Sequence, residues 1–328
     1  MSKEVPGTTT TWLSRAVPAQ LAAVDIANWR RDESFGIFPG GTKPKQMVIA
    51  PDDAQTPLLI PNHPYLFKTA YGWRSRQMWS EFIAYRLGSL LGLPVPPCFL
   101  AVDSRTGECG ALVEFFYGYP GEVAPARLVH GSDMISGFHR GLKSGRPHNI
   151  RENARICRFV LGGSAAGIMA WWMKAVIFDA LIGNTDRHTE NWGFLVRRRA
   201  DGQPTYELAP LFDNATSLGY ELNDHAFPAF SGVKLRTYIE KGRHHLGWDM
   251  QSDKPTSHIT LCKKMMAHAP DAGAEAANVV RFQMLEIAKI LHDCSLFDVG
   301  VPFSTARVDF VYSLIKARKA MLEEVVGY

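Results

Sequence analysis

Cysteine is scarce in this chain of 328 residues, and its distribution argues against a disulfide framework or a zinc site. The cysteines are odd in number, widely spaced and without a C-x-x-C pair: Cys98, Cys109, Cys157, Cys262 and Cys294. Disulfide scaffolds and zinc sites need paired cysteines at characteristic spacings. We therefore expect a reducing compartment and a cytoplasmic protein.

The chain also lacks a strong charge of one sign, a secretory signal and a long hydrophobic run. Its 36 basic and 32 acidic residues leave a formal charge of +4, too small to indicate nucleic-acid binding by itself, so no direct binding is expected. The N-terminus has no basic segment followed by an apolar core. The longest uncharged run, Phe159 to Met173, is shorter than the roughly 20 residues of a membrane span. It predicts a buried helix and no transmembrane segment.

The residues up to Gly118 have the pattern of a small lobe rich in strands. The apolar segment MVI follows a Gly/Pro/Lys turn, and alternating residues in HPYLFKTAY predict a second strand. Helical spacing in SRQMWSEFIAYRLGSLLGLPVPP predicts a helix that ends at Gly92 and Pro94. CFLAVD and GALVEFFYG predict two further strands, joined by a turn at Thr106 and Gly107.

The rest of the chain is expected to be largely helical. A segment of low regularity, Pro120 to Asn153, separates it from the small lobe, and we place the domains at 1–118 and 119–328. The predicted helices are Met169 to Ile182, Ala274 to His292 and Thr305 to Val326. A hairpin with Asp201 and Gly202 in its turn follows the first of them. The prediction is an α+β fold with two lobes.

A polar loop between two apolar segments carries the strongest functional signal. The sequence DALIGNTDRHTENWGFLV places Asp186 and Asn191 five residues apart, and the hairpin returns the chain to Asp213 in LFDN. Phosphoryl transfer needs a carboxylate to orient the hydroxyl, and an amide oxygen with a second carboxylate to hold Mg²⁺. Protein kinases use the same D-x-x-x-x-N spacing, hairpin and metal-binding Asp. The pattern predicts Asp186 as the catalytic residue and Asn191 and Asp213 as metal ligands.

The small lobe offers candidates for binding ATP. Glycines in FPGGTKPK let backbone N–H groups approach phosphate oxygens. A strand lysine can meet the phosphates, a helix glutamate can pair with that lysine, and the segment VEFFYG can present backbone groups to adenine. The predicted ATP-binding residues are Gly40, Gly41, Thr42, Lys43, Lys45, Lys68, Glu81, Glu114 and Phe116.

These segments resemble the HipA-like serine/threonine kinases of bacteria. The resemblance is carried by GGTKPK, YLFK, SEFIAYRLGSLLGLPVP, VEFF, LIGNTDRHTENWGFL and LAPLFDNATS, and covers most of Gly36 to Gly219. It implies a kinase-like fold, the cofactors ATP and Mg²⁺, and a protein substrate with a Ser or Thr acceptor. It also implies a toxin or effector role, with an antitoxin or regulatory partner, in a bacterial cytoplasm or in a host cell.

The same resemblance assigns the site residues and shows two departures. Asp186 would be the base and Lys68 the ATP-contacting lysine, with Glu81 as its partner. Only residues 1–35 precede the glycine loop, so the chain is closer to short members without the N-terminal subdomain of the toxin. The serine that such kinases autophosphorylate is Gly40 here, and Thr42 and Ser34 are the nearest substitutes.

Two alternative functions stay open. Arg187 gives the loop a DRH sequence that also resembles phosphoinositide kinases, so a lipid acceptor is one alternative. A pseudokinase that binds nucleotide or a partner without catalysis is another. Several groups are expected to be structural: His188 braces the loop, Arg197 to Arg199 form a solvated hairpin end, and Trp171 and Trp172 lie in the core. Structural roles are likewise favoured over a metal cluster for His244, His245 and His258.

Overall fold

The structure is a computed structural model that describes residues 17–32, 45–54, 58–122, 124, 126–141 and 146–327. Within these ranges, strands dominate the first part of the chain and helices the second. The predicted α+β class is confirmed. The lobe boundary after Gly118 stays a prediction.

A six-stranded sheet forms the first part of the chain. Its strands are β1 (Val24–Asp25), β2 (Arg30–Arg31), β3 (Lys45–Ile49), β4 (Pro64–Lys68), β5 (Cys98–Asp103) and β6 (Glu108–Glu114). The order is β1-β5-β6-β4-β3-β2, and only the β1 and β5 pair is parallel. The four predicted strands are all present. The strands β1 and β2 were not predicted, because two residues are too few to show an alternating pattern.

Helix α1 (Gln77–Leu90) follows a short 3-10 helix, Gly72–Arg76, and packs against β5 and β6. It ends as predicted, with Gly92 in the left-handed region at φ 64°. Gly88 allows close packing, because a Cβ at this position would lie 2.3 Å from a methyl carbon of Val95. The helix is buried along most of its length, so its position relative to the sheet is fixed.

The second part contains a three-stranded antiparallel sheet, ordered β7-β8-β9, and most of the helices. The strands are β7 (Arg127–His130), β8 (Gly193–Arg198) and β9 (Pro204–Leu208). The helices are α2 (Gly131–Phe138), α3 (Ile150–Leu161), α4 (Ala165–Ile182), α5 (Gly232–Lys241), α6 (His258–His268), α7 (Pro270–Ala276), α8 (Met284–Ser295) and α9 (Thr305–Val326). The predicted hairpin and the helix from Thr305 to Val326 are confirmed.

Three sequence-based expectations were wrong in this part. The segment Pro120 to Asn153 contains β7, α2 and the start of α3, and β7 is held by pairing with β8, a partner distant in sequence. The helix expected from Ala274 to His292 is divided between α7 and α8 by a 3-10 helix, Ala277–Val280. The uncharged run that starts at Phe159 is also divided, because Gly162 ends α3 at φ 62°.

Helix α4 lies in the middle of the core and packs against α3, α6, α7 and α9. Trp172 in this helix is fully buried, whereas Trp171 is partly buried. In the described part of the chain, α4 alone is long and apolar enough to cross a membrane by length and composition. The core helix of a soluble protein passes the same test, and 67% of α4 is buried inside this protein. The helix instead serves as the rigid element that carries the polar loop.

Candidate active site

The polar loop begins where α4 ends. Gly183 adopts φ 71°, and its backbone N–H donates to the carbonyl oxygen of Asp179, one helical turn back. A Cβ at Gly183 would lie 2.5 Å from the guanidinium of Arg318. Glycine therefore meets both a conformational and a spatial requirement at this position, and the chain turns sharply from a buried helix into the loop.

A fully buried ion pair joins the helix to the loop. The Nε of Arg187 lies 3.0 Å from Oδ2 of Asp179, and its NH2 lies 2.7 Å from Oδ1, so the contact is bidentate. The two side chains are 1% and 0% exposed. Burial alone lowers the pKa of Arg187, but the adjacent carboxylate of Asp179 outweighs this effect and raises the pKa. Arg187 therefore stays charged.

The same guanidinium holds the two segments that carry the predicted metal ligands. Its NH1 donates to the carbonyl oxygens of Asn191, at 3.1 Å, and Phe212, at 2.6 Å. Its NH2 donates to Oδ1 of Asn214 at 2.7 Å. Asn191 belongs to the loop, whereas Phe212 and Asn214 flank Asp213 after the hairpin. Arg187 thus fixes both segments in one place, a role that the sequence interpretation missed.

Asp186 and Asn191 make different hydrogen bonds in the loop. Nδ2 of Asn191 donates to the backbone oxygen of Asp186 at 2.7 Å, so its amide oxygen could act as a metal ligand, which stays a prediction. The carboxylate of Asp186 accepts a hydrogen bond from the hydroxyl of Thr216 at 3.3 Å, and its side chain is 39% exposed. A carboxylate that is oriented but still accessible can meet an incoming hydroxyl.

Lys68, Glu81 and Asp213 form a second cluster of charges. Nζ of Lys68 on β4 lies 3.4 Å from Oε2 of Glu81 on α1, as predicted, and 3.2 Å from Oδ1 of Asp213. Burial lowers the pKa of Lys68, but the carboxylates of Asp213 and Glu81 raise it further than burial lowers it. All three side chains line one cavity. The lysine is therefore a fixed cation beside a predicted metal ligand.

Asp213 has an uncommon backbone conformation, with φ at 56°. Non-glycine residues seldom adopt this left-handed region, and such residues concentrate at functional sites. The conformation directs the carboxylate to Lys68, while the next backbone N–H, that of Asn214, donates to Oε1 of Glu81 at 3.2 Å. The segment after the hairpin is thereby joined to both β4 and α1.

The remaining predicted ATP-binding residues are only partly described. Gly40, Gly41, Thr42 and Lys43 lie outside the described residues, as do Ser34 and the glycine loop as a whole. Lys45 is the first residue of β3 and lies directly opposite Lys68 in the sheet register. Its contact with ATP stays a prediction.

Glu114 and Phe116, the two residues predicted to contact adenine, lie at and just after the end of β6. Glu114 is fully buried, with its N–H bonded to the carbonyl oxygen of Pro97 at 2.8 Å and its carboxylate accepting from Tyr119 at 3.0 Å. Phe116 stacks on Phe212 with ring centroids 5.3 Å apart. Both side chains are buried and engaged within the fold, and their contact with adenine stays a prediction.

His188 lies within the loop and is bonded to it. Its N–H donates to the backbone oxygen of Asp186 at 2.8 Å, and its Nδ1 accepts from the N–H of Glu190 at 3.2 Å. Its Nε2 is 3.9 Å from Oδ1 of Asp186. His188 thus contacts the backbone on both sides of itself, and its bracing role stays a prediction.

Two further histidines lie in the core next to the loop. His244 and His258 are fully buried, with ring centroids 4.4 Å apart. Nδ1 of His258 accepts from Arg318 at 3.3 Å, so its Nε2 is the donor to the carbonyl oxygen of Asn184 at 2.9 Å. The described residues contain no group of three or more His, Cys, Asp and Glu side chains that could hold a metal ion. The hydrogen bond of His258 connects this buried pair to the backbone of the loop.

One protein family and one relative match the sequence of this chain. The model of the HipA-like C-terminal domain family matches residues 37–283. The serine/threonine-protein kinase CtkA of Helicobacter pylori (strain J99) is 44% identical over 48 residues, which are 15% of this chain and 14% of that protein. The sequence alignment thus spans only a small part of that relative.

Two solved structures resemble the whole fold. The H. pylori proinflammatory kinase CtkA aligns over 93% of this chain and 96% of its own, with a TM-score of 0.68 and 20% identity. HipA of Shewanella oneidensis MR-1, solved with HipB and operator DNA, aligns over 89% of this chain and 66% of its own, with a TM-score of 0.52 and 15% identity. At such identities the likeness shows the fold alone.

The fold and the charged cleft define the class: an α+β protein with the two-part architecture of these kinases, as predicted. The family match covers most of the chain. The chain belongs to the HipA-like C-terminal domain family, which confirms the predicted resemblance and supports its assignment as a kinase.

The buried histidines predict a specific dependence of stability on pH. Burial lowers the pKa of His244 from 6.5 to about 3. Below about pH 6.5 the unfolded chain therefore binds a proton at this residue and the folded chain does not, so the free energy of unfolding decreases as the pH decreases. From about pH 7.5 to about pH 5, the unfolding free energy of the His244→Gln variant should therefore decrease by about 2 kcal/mol less than that of the wild type.

Urea unfolding at the two pH values measures this difference. His292→Gln is the matched control, because His292 is exposed and its replacement should leave the pH dependence of the wild type unchanged. An equal loss of stability in the His244→Gln variant and in the wild type would contradict the account of the buried ring.

Proposed function

We propose that the chain is an ATP-dependent serine/threonine protein kinase of HipA-like type, which transfers the γ-phosphate of Mg-ATP to a protein hydroxyl. One observation carries the proposal: Arg187 joins the loop of Asp186 and Asn191 to the segment of Asp213, which in turn contacts Lys68. Phosphoryl transfer requires the groups that these residues supply: two carboxylates, an amide oxygen and a lysine.

The residues have distinct roles in this proposal. Lys68 holds ATP phosphates and is itself held by Glu81. Asn191 and Asp213 bind Mg²⁺, which neutralises charge on the phosphates when it is bound. Asp186 orients the acceptor hydroxyl and accepts its proton, and Thr216 keeps this carboxylate in position. The glycine loop, Phe116 and Lys45 complete the ATP site in the proposal.

The biological setting is proposed from the relatives. Solved HipA forms a complex with HipB and operator DNA, and CtkA is described as a proinflammatory kinase. We propose by analogy that this chain is a toxin or effector kinase with a protein partner that regulates it, acting in a cytoplasm. The preferred acceptor is a serine or threonine of a protein, because the sequence relative is a serine/threonine-protein kinase. A phosphoinositide acceptor and a pseudokinase are the alternatives.

Nucleotide binding is tested by thermal shift. Mg-ATP at millimolar concentration should raise the unfolding temperature, because a ligand that binds only the folded chain stabilises it by mass action. Asp213→Ala should abolish most of this shift and reduce turnover by orders of magnitude, since it removes a charged metal ligand. Asp298→Ala removes an exposed carboxylate and should change neither quantity. A folded wild-type protein without any shift would refute nucleotide binding.

The proposed base is tested by replacing Asp186 with asparagine. The amide cannot accept the proton, so Asp186→Asn should keep the Mg-ATP shift and lose phosphoryl transfer. Transfer is measured with labelled ATP and a cell lysate, separated into protein and lipid fractions. Label on serine or threonine supports the protein kinase, and label confined to lipid replaces it with the phosphoinositide alternative. Full activity of the variant would show that Asp186 is not the base, and an inactive wild type that binds Mg-ATP would favour the pseudokinase.

A further inference from the structure

An exposed aromatic and basic segment lies between β4 and α1. Tyr71, Gly72, Trp73 and Arg74 are all exposed, and Trp73 retains half of its surface. The Trp73 ring stacks on Tyr220, with centroids 5.7 Å apart and planes at 21°. The stacked pair presents aromatic surface to solvent directly beside an exposed arginine, a combination that can pack against a partner.

The segment borders the proposed active site. Ser75 and Gln77 line the same cavity as Lys68 and Asp213. Tyr220 lies in the segment that begins with Thr216, the residue whose hydroxyl donates to Asp186. Its backbone N–H donates to the carbonyl oxygen of Ser217 at 3.3 Å, and the carbonyl oxygen of Thr216 accepts from the N–H of Thr185 in the polar loop at 3.3 Å. The aromatic pair is therefore attached to the segment that orients the proposed base.

The charge of this surface indicates what it binds. The guanidinium of Arg74 lies 4.9 Å from the centroid of the Trp73 ring, and no carboxylate of the described residues pairs with it. Within the described ranges, the side chain of Arg76 has a single ion-pair contact, a long one of 3.8 Å with Asp224. An exposed, unpaired arginine on an aromatic ring suits a carboxylate beside an extended backbone. A polyanion such as nucleic acid would meet the nearby carboxylates of Asp186, Glu221 and Asp224, so a single acidic side chain fits better.

We propose that Trp73, Arg74 and Tyr220 form a docking platform for an extended segment of the protein substrate that carries an acidic side chain near the Ser or Thr acceptor. Trp73 and Tyr220 pack against the segment, and Arg74 pairs with the acidic side chain. The inference rests on the proposed kinase function, since the platform has this role only if Asp186 acts on a protein hydroxyl. It adds a substrate class that the site residues alone do not define.

The test maps the phosphorylated sites in a native lysate by mass spectrometry, with wild type and charge-reversed variants. Wild-type sites should be enriched in Asp or Glu near the acceptor. Arg74→Glu should reduce labelling of these acidic sites by about fivefold, the effect of one exposed ion pair, and favour sites with Lys or Arg. Arg199→Glu is the matched control, because it reverses an exposed charge at the hairpin end and should reproduce the wild-type sites.

The aromatic part of the platform is tested with a peptide made from one mapped site. Trp73→Ala should raise KM for this peptide and leave kcat unchanged, since it removes binding that is equal in ground state and transition state. Phe159→Ala, which removes an aromatic side chain that is 75% exposed on α3, should change neither constant. Both platform variants should keep the wild-type thermal shift with Mg-ATP, which shows that the fold and the nucleotide site are intact.

The outcomes separate the platform from the kinase function. Protein labelling without acidic neighbours, or an Arg74→Glu variant with the same sites as wild type, overturns the platform alone. Label confined to the lipid or nucleic-acid fraction overturns the protein occupant. A wild-type protein that shows no Mg-ATP shift and labels nothing contradicts the proposed function itself, and the platform with it.

Discussion

The buried pair of Asp179 and Arg187 is the interaction on which the candidate site depends. An ion pair without access to water is costly to form and is tolerated only when its remaining groups are hydrogen-bonded. Here Asp179 also accepts from Nδ2 of Asn184 at 3.0 Å, and Arg187 donates to Asn191, Phe212 and Asn214. Each contact that satisfies the buried charges also fixes a stretch of backbone. The desolvated charges thus specify the shape of the loop.

Further polar contacts connect the ion pair of Asp179 and Arg187 to the six-stranded sheet. The side chain of Asn214 accepts a hydrogen bond from Arg187, and its backbone N–H donates to Glu81. Glu81 contacts Lys68, and Lys68 contacts Asp213. A continuous set of polar contacts therefore links α4, the loop, α1 and β4. This explains how residues far apart in sequence reach one cleft, and why Asp213 keeps its uncommon backbone conformation.

Local patterns predicted the elements that form from nearby residues. Three such patterns were sufficient to predict their elements: the alternation in HPYLFKTAY, the apolar spacing of α1, and the turn of Asp201 and Gly202. Strand β7 was missed because its partner β8 is distant in sequence, and the bracing role of Arg187 was missed because its partners come from three separate segments. One signal was available: Asp179 is the only acidic residue in α4, and a buried carboxylate requires a partner.

A double-mutant cycle on this pair, with Asp179→Asn, Arg187→Met and the double variant, tests the central claim most directly. Each single change should cost about 3–5 kcal/mol of unfolding free energy, because it leaves an unpaired buried charge or unsatisfied carbonyls, and the double variant should recover part of this loss. The decisive quantity is the thermal shift caused by Mg-ATP in each folded variant. We predict that the shift is lost even in the double variant, since Asn191 and Asp213 are no longer held together. A double variant that folds and binds Mg-ATP like the wild type would contradict the role of this ion pair.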